Sequence, residues 1–109
     1  MTFQKLEDAL ITVTENSYRT TVPEGIDFPY IVWNDDGCST IFSGDGKIVR
    51  IVIQGTIDLF TKTVDDPIFC QIQTALNNSG IGFYYNSKQY EEKTEIYHYE
   101  WIFEIPEEV

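Results

Sequence analysis

Few residues in this chain have the type and spacing that catalysis requires. His98 is the single histidine, so a metal site built from several imidazoles is excluded. It stands in an alternating strand pattern, where we expect a surface or interface residue rather than a catalytic base. No Ser/His/Asp or Cys/His arrangement can be placed by spacing. The sequence therefore predicts a protein that is not an enzyme.

Two acidic turns are the remaining candidates for ligand binding. NDDG contains Asp35 and Asp36, and SGDG contains Asp45. Carboxylates in neighbouring loops could hold a hard cation, but their spacing is not that of an EF-hand, and Asn, Asp and Gly are common in tight turns for conformational reasons. The GDGK run also lacks the further glycines and the Lys-Ser/Thr pair of a phosphate-binding loop. We expect no metal and no cofactor.

These turns precede the longest strand pattern in the chain, IVRIVIQGTIDLFTK, from Ile48 to Lys62. A strand of about 15 residues would span about 50 Å, whereas a compact chain of 109 residues should be about 35 Å across. Gly55 interrupts the apolar series, so the strand either bends or bulges there or belongs to a hairpin that overhangs the domain. The two possibilities can coexist.

The elements around this strand predict an α+β fold. Apolar residues at three- and four-residue steps predict a helix over Thr2–Thr14, started by Thr2, and a second over Asp65–Asn78, with Asp66 as N-cap and Pro67 at its first position. The order of helices and strands predicts a mainly antiparallel sheet with both helices on one face, and residues 1–109 form one domain. Further strands are predicted at Pro29–Trp33, Cys38–Phe42, Ile81–Asn86 and Glu95–Ile105, with turns at Asn34–Gly37, Ser43–Gly46 and Ser87–Lys93 and a loop at Glu15–Phe28.

The long strand and the last strand each have two unlike faces. One face is apolar and belongs under the helices: Val49, Ile51, Ile53, Ile57 and Leu59, with Tyr97, Tyr99, Trp101, Phe103 and Ile105. The other face mixes apolar and charged residues: Ile48, Arg50, Val52, Gln54, Thr56, Asp58 and Phe60, with Ile96, His98, Glu100, Ile102 and Glu104. That mixture is typical of a protein interface.

The net charge limits the kinds of partner that we expect, and the cysteines indicate the expected redox state. Eighteen acidic residues against seven basic ones give a net charge of -11, which repels phosphate backbones and anionic lipids. We expect no direct affinity for nucleic acid and no membrane association, since no apolar run approaches the length of a membrane span. Cys38 and Cys70 are expected to be reduced thiols, because the N-terminus lacks the pattern of a signal peptide.

The pattern as a whole resembles the small tail-completion proteins of phages and prophages, the tail terminators of lambda-like siphoviruses. The residues that carry the resemblance are FPYIVW followed by an acidic turn, IDLFTK followed by DDP, and YHYEWIFEI, and they span Pro29 to Ile105. The resemblance implies an α+β subunit of a hexameric ring that caps the tail tube, ends its polymerisation and meets the head connector. It implies location in the virion neck, with assembly in the bacterial cytoplasm.

The sequence itself provides the interface candidates. They are the acidic turn Asp35 and Asp36, the hairpin tip Ser43, Gly44, Asp45, Gly46 and Lys47, and the strand positions Arg50, Gln54, Asp58, His98 and Glu100. Arg50 would pair either with acid of a neighbouring subunit or with Glu100 or Glu104 in its own sheet. The partners implied are further copies of the chain, the tail tube protein and the head-connector protein, with DNA passing through an acidic ring.

Three other functions remain open. The first is another phage neck component, such as a head-completion protein, which would bind the portal rather than the tube. The second is a monomeric acidic module that captures a basic partner in a salt-sensitive way. The third, a small enzyme built around His98, would require that residue for function.

Overall fold

The computed structural model describes residues 3–42 and 45–108, of which 39–42, 48–50, 107 and 108 are described by their backbone alone. The sheet has the order β1-β2-β3-β5-β4, and only the β1–β2 pair is parallel. The prediction of an α+β fold with a mainly antiparallel sheet is confirmed. The elements are α1 (Gln4–Val13), β1 (Ser17–Arg19), β2 (Tyr30–Phe42), β3 (Ile48–Thr61), α2 (Ile68–Asn78), β4 (Gly82–Glu91) and β5 (Ile96–Glu108).

Both helices pack on the apolar sheet face that the strand alternation predicts. Each helix contributes two leucine or isoleucine side chains spaced one turn apart, so that both point the same way. Burying such side chains is the main favourable term in folding. The fully buried core consists of Leu6, Leu10, Ile31, Ile57, Leu59, Ile72, Leu76, Trp101 and Phe103, with Trp33 and Ile53 nearly as enclosed.

The predicted turn at Asn34–Gly37 is wrong, because β2 continues through it. Asp35 pairs with Gly55 and Gly37 with Gln54, so Asp36 is one extra residue in β2, a β-bulge. Gly37 has a φ of 138°, a backbone conformation that favours glycine. The Asn-Asp-Gly residues that are common in turns therefore also suit an irregularity within a strand.

Two other boundaries differ from the prediction, both at the edges of the sheet. The predicted loop Glu15–Phe28 contains β1, and the predicted turn Ser87–Lys93 is strand as far as Glu91. A strand at a sheet edge is exposed along most of its length, so its sequence lacks the alternation that identifies an inner strand. This is why β1 and the second half of β4 were not predicted as strands.

The start of α2 is held by Asp66, although the helix begins at Ile68 rather than before it. The Asp66 side chain is buried; its Oδ1 accepts a hydrogen bond from the Ile68 N–H at 3.0 Å, and its Oδ2 accepts one from the Thr61 hydroxyl at 2.6 Å. The predicted N-cap is therefore wrong by one residue, because Pro67 holds the N-cap position and Ile68 is the first helical residue. The Asp66 side chain nevertheless stabilises the first turn and ties the helix to the end of β3. The predicted cap of α1, Thr2, lies outside the described residues.

The structure answers the question of the long strand in favour of an overhanging hairpin. β3 pairs with β5 from Arg50 to Thr61 without a register shift, so it has no bulge of its own at Gly55. The molecule measures 54 × 25 × 25 Å. Among the described side chains, the core ends at Ile53 in β3, and the β2–β3 hairpin extends beyond it. The extra residue predicted for β3 is instead Asp36 of β2.

Arg19 connects β1 to β2 and covers the end of the core. Its Nη2 lies 2.7 Å from Asp35 Oδ1, and its guanidinium carbon lies 4.7 Å from the Phe3 ring centroid and 4.9 Å from that of Trp33. The hydrogen bond from Arg19 holds the pKa of Asp35 below its usual value. Because the folded pKa is lowered, the pair stabilises the fold above the unfolded pKa, and this contribution is lost as pH falls through the folded value.

We expect Arg19→Met to raise the pKa of Asp35 toward its ordinary value, because the side-chain donor is lost while the apolar stem remains. An NMR titration of the Asp35 carboxyl carbon would measure the change. The same titration of the unsubstituted protein is the reference. An unchanged Asp35 curve would show that Arg19 does not set its pKa.

Candidate assembly interface

The sheet face opposite the helices presents a row of stacked rings. We call it the open face, formed by Tyr30 and Val32 of β2, Gln54–Phe60 at even positions of β3, and His98–Glu104 at even positions of β5. Ring centroids are 5.1 Å apart between Tyr30 and Phe60 and 4.3 Å apart between Phe60 and His98, both pairs being stacked. Burial within this row raises the pKa of the Tyr30 hydroxyl. Stacked aromatic pairs of this kind stabilise the row of rings beyond the area that they bury.

His98 is bound to Asp58 on the open face. Its Nε2 lies 2.7 Å from Asp58 Oδ1, and the two side chains are 28% and 14% exposed. His98 stands directly opposite Phe60, so Asp58 is its diagonal neighbour on the adjacent strand. The sequence predicted both residues for the interface, and the structure brings them together. Their contact is a cross-strand pair that fixes the imidazole against the Phe60 ring.

The carboxylates of the open face are held by amides. Gln54 Nε2 donates to Glu104 Oε1 at 2.8 Å, and Asn86 Nδ2 donates to Glu100 Oε1 at 2.7 Å. Asp58 stands directly opposite Glu100, so two acids are neighbours across the strands. Like charges placed opposite each other are unfavourable unless a partner compensates them. The open face is therefore a surface of aromatic rings and negative charge.

The backbone of Arg50 does not lie opposite either acid that the sequence suggested as its partner in the same sheet. Its backbone pairs with Glu108, while Glu104 pairs with Gln54 and Glu100 with Asp58. Glu100 is thus eight residues along the strand from the position opposite Arg50, about 26 Å at the usual rise. The predicted cross-strand pair with Glu100 is wrong, and Glu104 is about 13 Å from that position by the same measure.

The hairpin tip lies at the far end of the β2–β3 hairpin, beyond the strand positions that form the open face. β2 and β3 close as predicted, with Phe42 opposite Ile48. Asp45 Oδ1 accepts a hydrogen bond from the Lys47 N–H at 3.3 Å, and Gly46 has a φ of 84°. Asp45, Gly46 and Lys47 are exposed, while Ser43 and Gly44 of the predicted tip lie outside the described residues. The candidate residues therefore fall in three places: the tip, the open face, and the bulged edge at Asp35 and Asp36.

Three exposed tyrosines of β4 were not among the interface candidates that the sequence provided, although the predicted strand Ile81–Asn86 contains two of them. Tyr84, Tyr85 and Tyr90 of β4 are 55%, 42% and 48% exposed. Tyrosine is enriched at protein interfaces, so three in a ten-residue strand were an available signal.

A cleft of about 250 Å³ separates β4 from the start of α2. Burial and the nearby Asp65 carboxylate raise the pKa of Tyr99, which lines it. The other lining residues are Asp65, Asp66, Pro67, Phe69, Cys70, Tyr85 and Lys88.

Within the described residues, no three His, Cys, Asp or Glu side chains are grouped so as to hold a metal ion. The same residues include no helix of the length and apolarity needed to cross a membrane.

The comparisons with known proteins identify the fold. No family model matches the sequence, and no curated protein matches it. Among solved structures, a chain from the virion of a native gene transfer agent particle superposes with a TM-score of 0.65 at 14% sequence identity. The alignment covers 98% of this chain and 91% of that chain. The protein therefore has an α+β fold that also occurs in a chain of a virion particle.

Proposed function

We propose that this protein is a structural component of a phage-like particle, and specifically a tail terminator. In this role, six copies of the chain form a ring that caps the tail tube, ends its polymerisation and presents a joining surface to the head connector. The observation that carries the proposal is the near-complete likeness to a virion chain, 98% of this chain and 91% of the other. The more specific role of a tail terminator comes from the sequence resemblance between Pro29 and Ile105.

The surfaces of the molecule suit this role. A closed ring of identical subunits uses two different patches on each copy, one for each neighbour, and further surface for its axial partners. The open face, which Tyr84 of β4 extends, the exposed Tyr85 and Tyr90 on the other face of β4, and the overhanging β2–β3 hairpin are separate surfaces that lie outside the core. A subunit of this size therefore has enough separate contacts for neighbours, tube and connector.

The charge of the chain suits a conduit for DNA. With a net charge of -11 per copy, a ring would repel the phosphate backbone and let the duplex pass without adhering. We place the protein in the virion neck, and in the host cytoplasm while the particle assembles.

The mass in solution tests the ring. Six copies of 12.6 kDa would weigh about 76 kDa, and we expect light scattering over a concentration series to reach this value while electron microscopy shows rings. Purified tail tubes that stop elongating when the protein is added would establish capping. Binding to portal assemblies without binding to tubes would assign it to head completion, and a monomer that caps nothing would contradict the proposal.

A further inference from the structure

The sheet has two long free edges, one on each side. β1 pairs only with Ile31–Trp33 of β2, so in the described part of the chain the outer edge of β2 from Asn34 to Phe42 has no strand beside it. β4 forms the other edge from Gly82 to Glu91. Each edge presents a row of backbone donors and acceptors that a further strand can pair with.

The two edges match in length and direction. The free part of β2 is about nine residues long and β4 has ten. β2, β3, β5 and β4 are successively antiparallel, so β4 runs opposite to β2. When a second copy is placed beside the first in the same orientation, β4 of one copy meets β2 of the next as an antiparallel pair.

We infer that copies of this chain join edge to edge, β4 of one subunit pairing with Asn34–Phe42 of the next, so that one sheet continues through the assembly. The inference rests on the proposed ring and names the surface that builds it. When the two edges overlap fully, Gly82 lies opposite Phe42, Asn86 opposite Cys38 and Lys88 opposite Asp36. The bulges at Asp36 of β2 and Asn86 of β4 can shift this register by one residue. Lys88 and Asp36 are both exposed and of opposite charge, so the edges are also complementary electrostatically.

The position of β1 gives this pairing a defined offset. Within one copy Gly82 is level with Gly37, through Glu104 and Gln54, whereas across copies it would be level with Phe42. Each neighbour is therefore displaced along the strand direction by about five residues, or about 16 Å. This displacement occurs once for every four strands, which span about 19 Å across the sheet. Strands inclined by about 40° to the ring axis accommodate this offset, and sheets that close on themselves have such inclinations.

A cysteine scan tests the pairing directly, with Cys38 as one partner. In a Cys70→Ser background, Tyr85→Cys, Asn86→Cys and Ser87→Cys are each treated with diamide and run on a non-reducing gel. Residues opposite each other in an antiparallel pair have Cα separations that a disulfide can bridge. We expect a ladder of multiples of 12.6 kDa that is strongest at or beside position 86. Glu24→Cys, on an exposed loop, and Cys38→Ser with Asn86→Cys are the controls, and neither should give the ladder.

Charge reversal at these two exposed residues supplies an independent test, and circular dichroism checks that each variant keeps the fold, since Lys88 Nζ also lies 5.6 Å from the Tyr97 ring centroid. We expect Lys88→Glu and Asp36→Lys each to raise the concentration for half-assembly about tenfold by placing like charges together, and the double variant to restore it.

The outcomes separate this inference from the proposed function. Rings of about 76 kDa without a ladder at positions 85–87 would overturn edge pairing and leave the ring function standing. A ladder in open filaments that cap no tubes would support edge pairing and overturn the ring function. Neither ladder nor assembly would overturn both.

Discussion

Gly55→Ala is expected to lower the free energy of unfolding by about 3 kcal/mol, because the added methyl group has no space. A Cβ at this position would collide with the carbonyl oxygen of Asn34 on β2 and with the ring of Phe103 on β5. The oxygen belongs to the backbone of a paired strand, and Phe103 is fully buried, so neither can move away freely. Urea unfolding followed by tryptophan fluorescence would measure the loss.

Gly82→Ala is the matched control for this substitution. Gly82 also lies in a strand, but the nearest atom to its added Cβ is the Glu104 carbonyl oxygen at 3.5 Å, an ordinary contact. We expect its unfolding free energy to change by less than about 0.5 kcal/mol. Equal losses for the two variants would mean that the intrinsic preference for glycine in these strands, and not the crowding at Gly55, determines the effect.

Trp101→Ala is expected to cost about 4 kcal/mol, the largest effect of any single substitution considered. Trp101 is fully buried in β5, its ring centroid lies 5.0 Å from that of Phe69 on α2, and its Nε1 donates to Gln73 Oε1 at 3.0 Å. The variant leaves a cavity and also removes the partner of a side chain on α2. Thermal unfolding monitored by circular dichroism would show a correspondingly lower midpoint.

Tyr84→Ala serves as the comparison, since Tyr84 is an aromatic residue of the same sheet that is 55% exposed. Its replacement should change stability by less than about 1 kcal/mol. A small loss for Trp101→Ala, close to that for Tyr84→Ala, would contradict the packing of α2 on β5.

The inner strands could be predicted from sequence because their two faces are chemically different. In β5 the apolar residues Tyr99, Trp101 and Phe103 alternate with His98, Glu100 and Glu104, and burial follows that alternation. At the sheet edges β1 was not predicted and β4 was predicted only as far as Asn86, since exposure on both sides removes the difference between faces. The bulge at Asp36 was equally hidden, because its residues are also those of a turn.

The candidate surface could be predicted only in part. Alternation places Asp58, His98 and Glu100 on one face, but the bond between His98 and Asp58 joins residues 40 positions apart and depends on the register of β3 with β5. Register is a property of the whole sheet and not of either strand alone. The same register moves Arg50 away from Glu100, which alternation alone could not reveal.

The side chains that stabilise the fold and the overhanging hairpin lie in different parts of the molecule. The described core, from the helices to Ile53, contains the buried side chains that stabilise the chain, and the hairpin extends past it. Substitutions of the exposed tip residues Asp45 and Lys47 therefore remove little buried area, and most surface changes of this kind leave stability nearly unaltered. A lineage of such proteins is free to change the sequence of the tip, and with it the partner that the tip contacts, while the sheet and its helices stay the same.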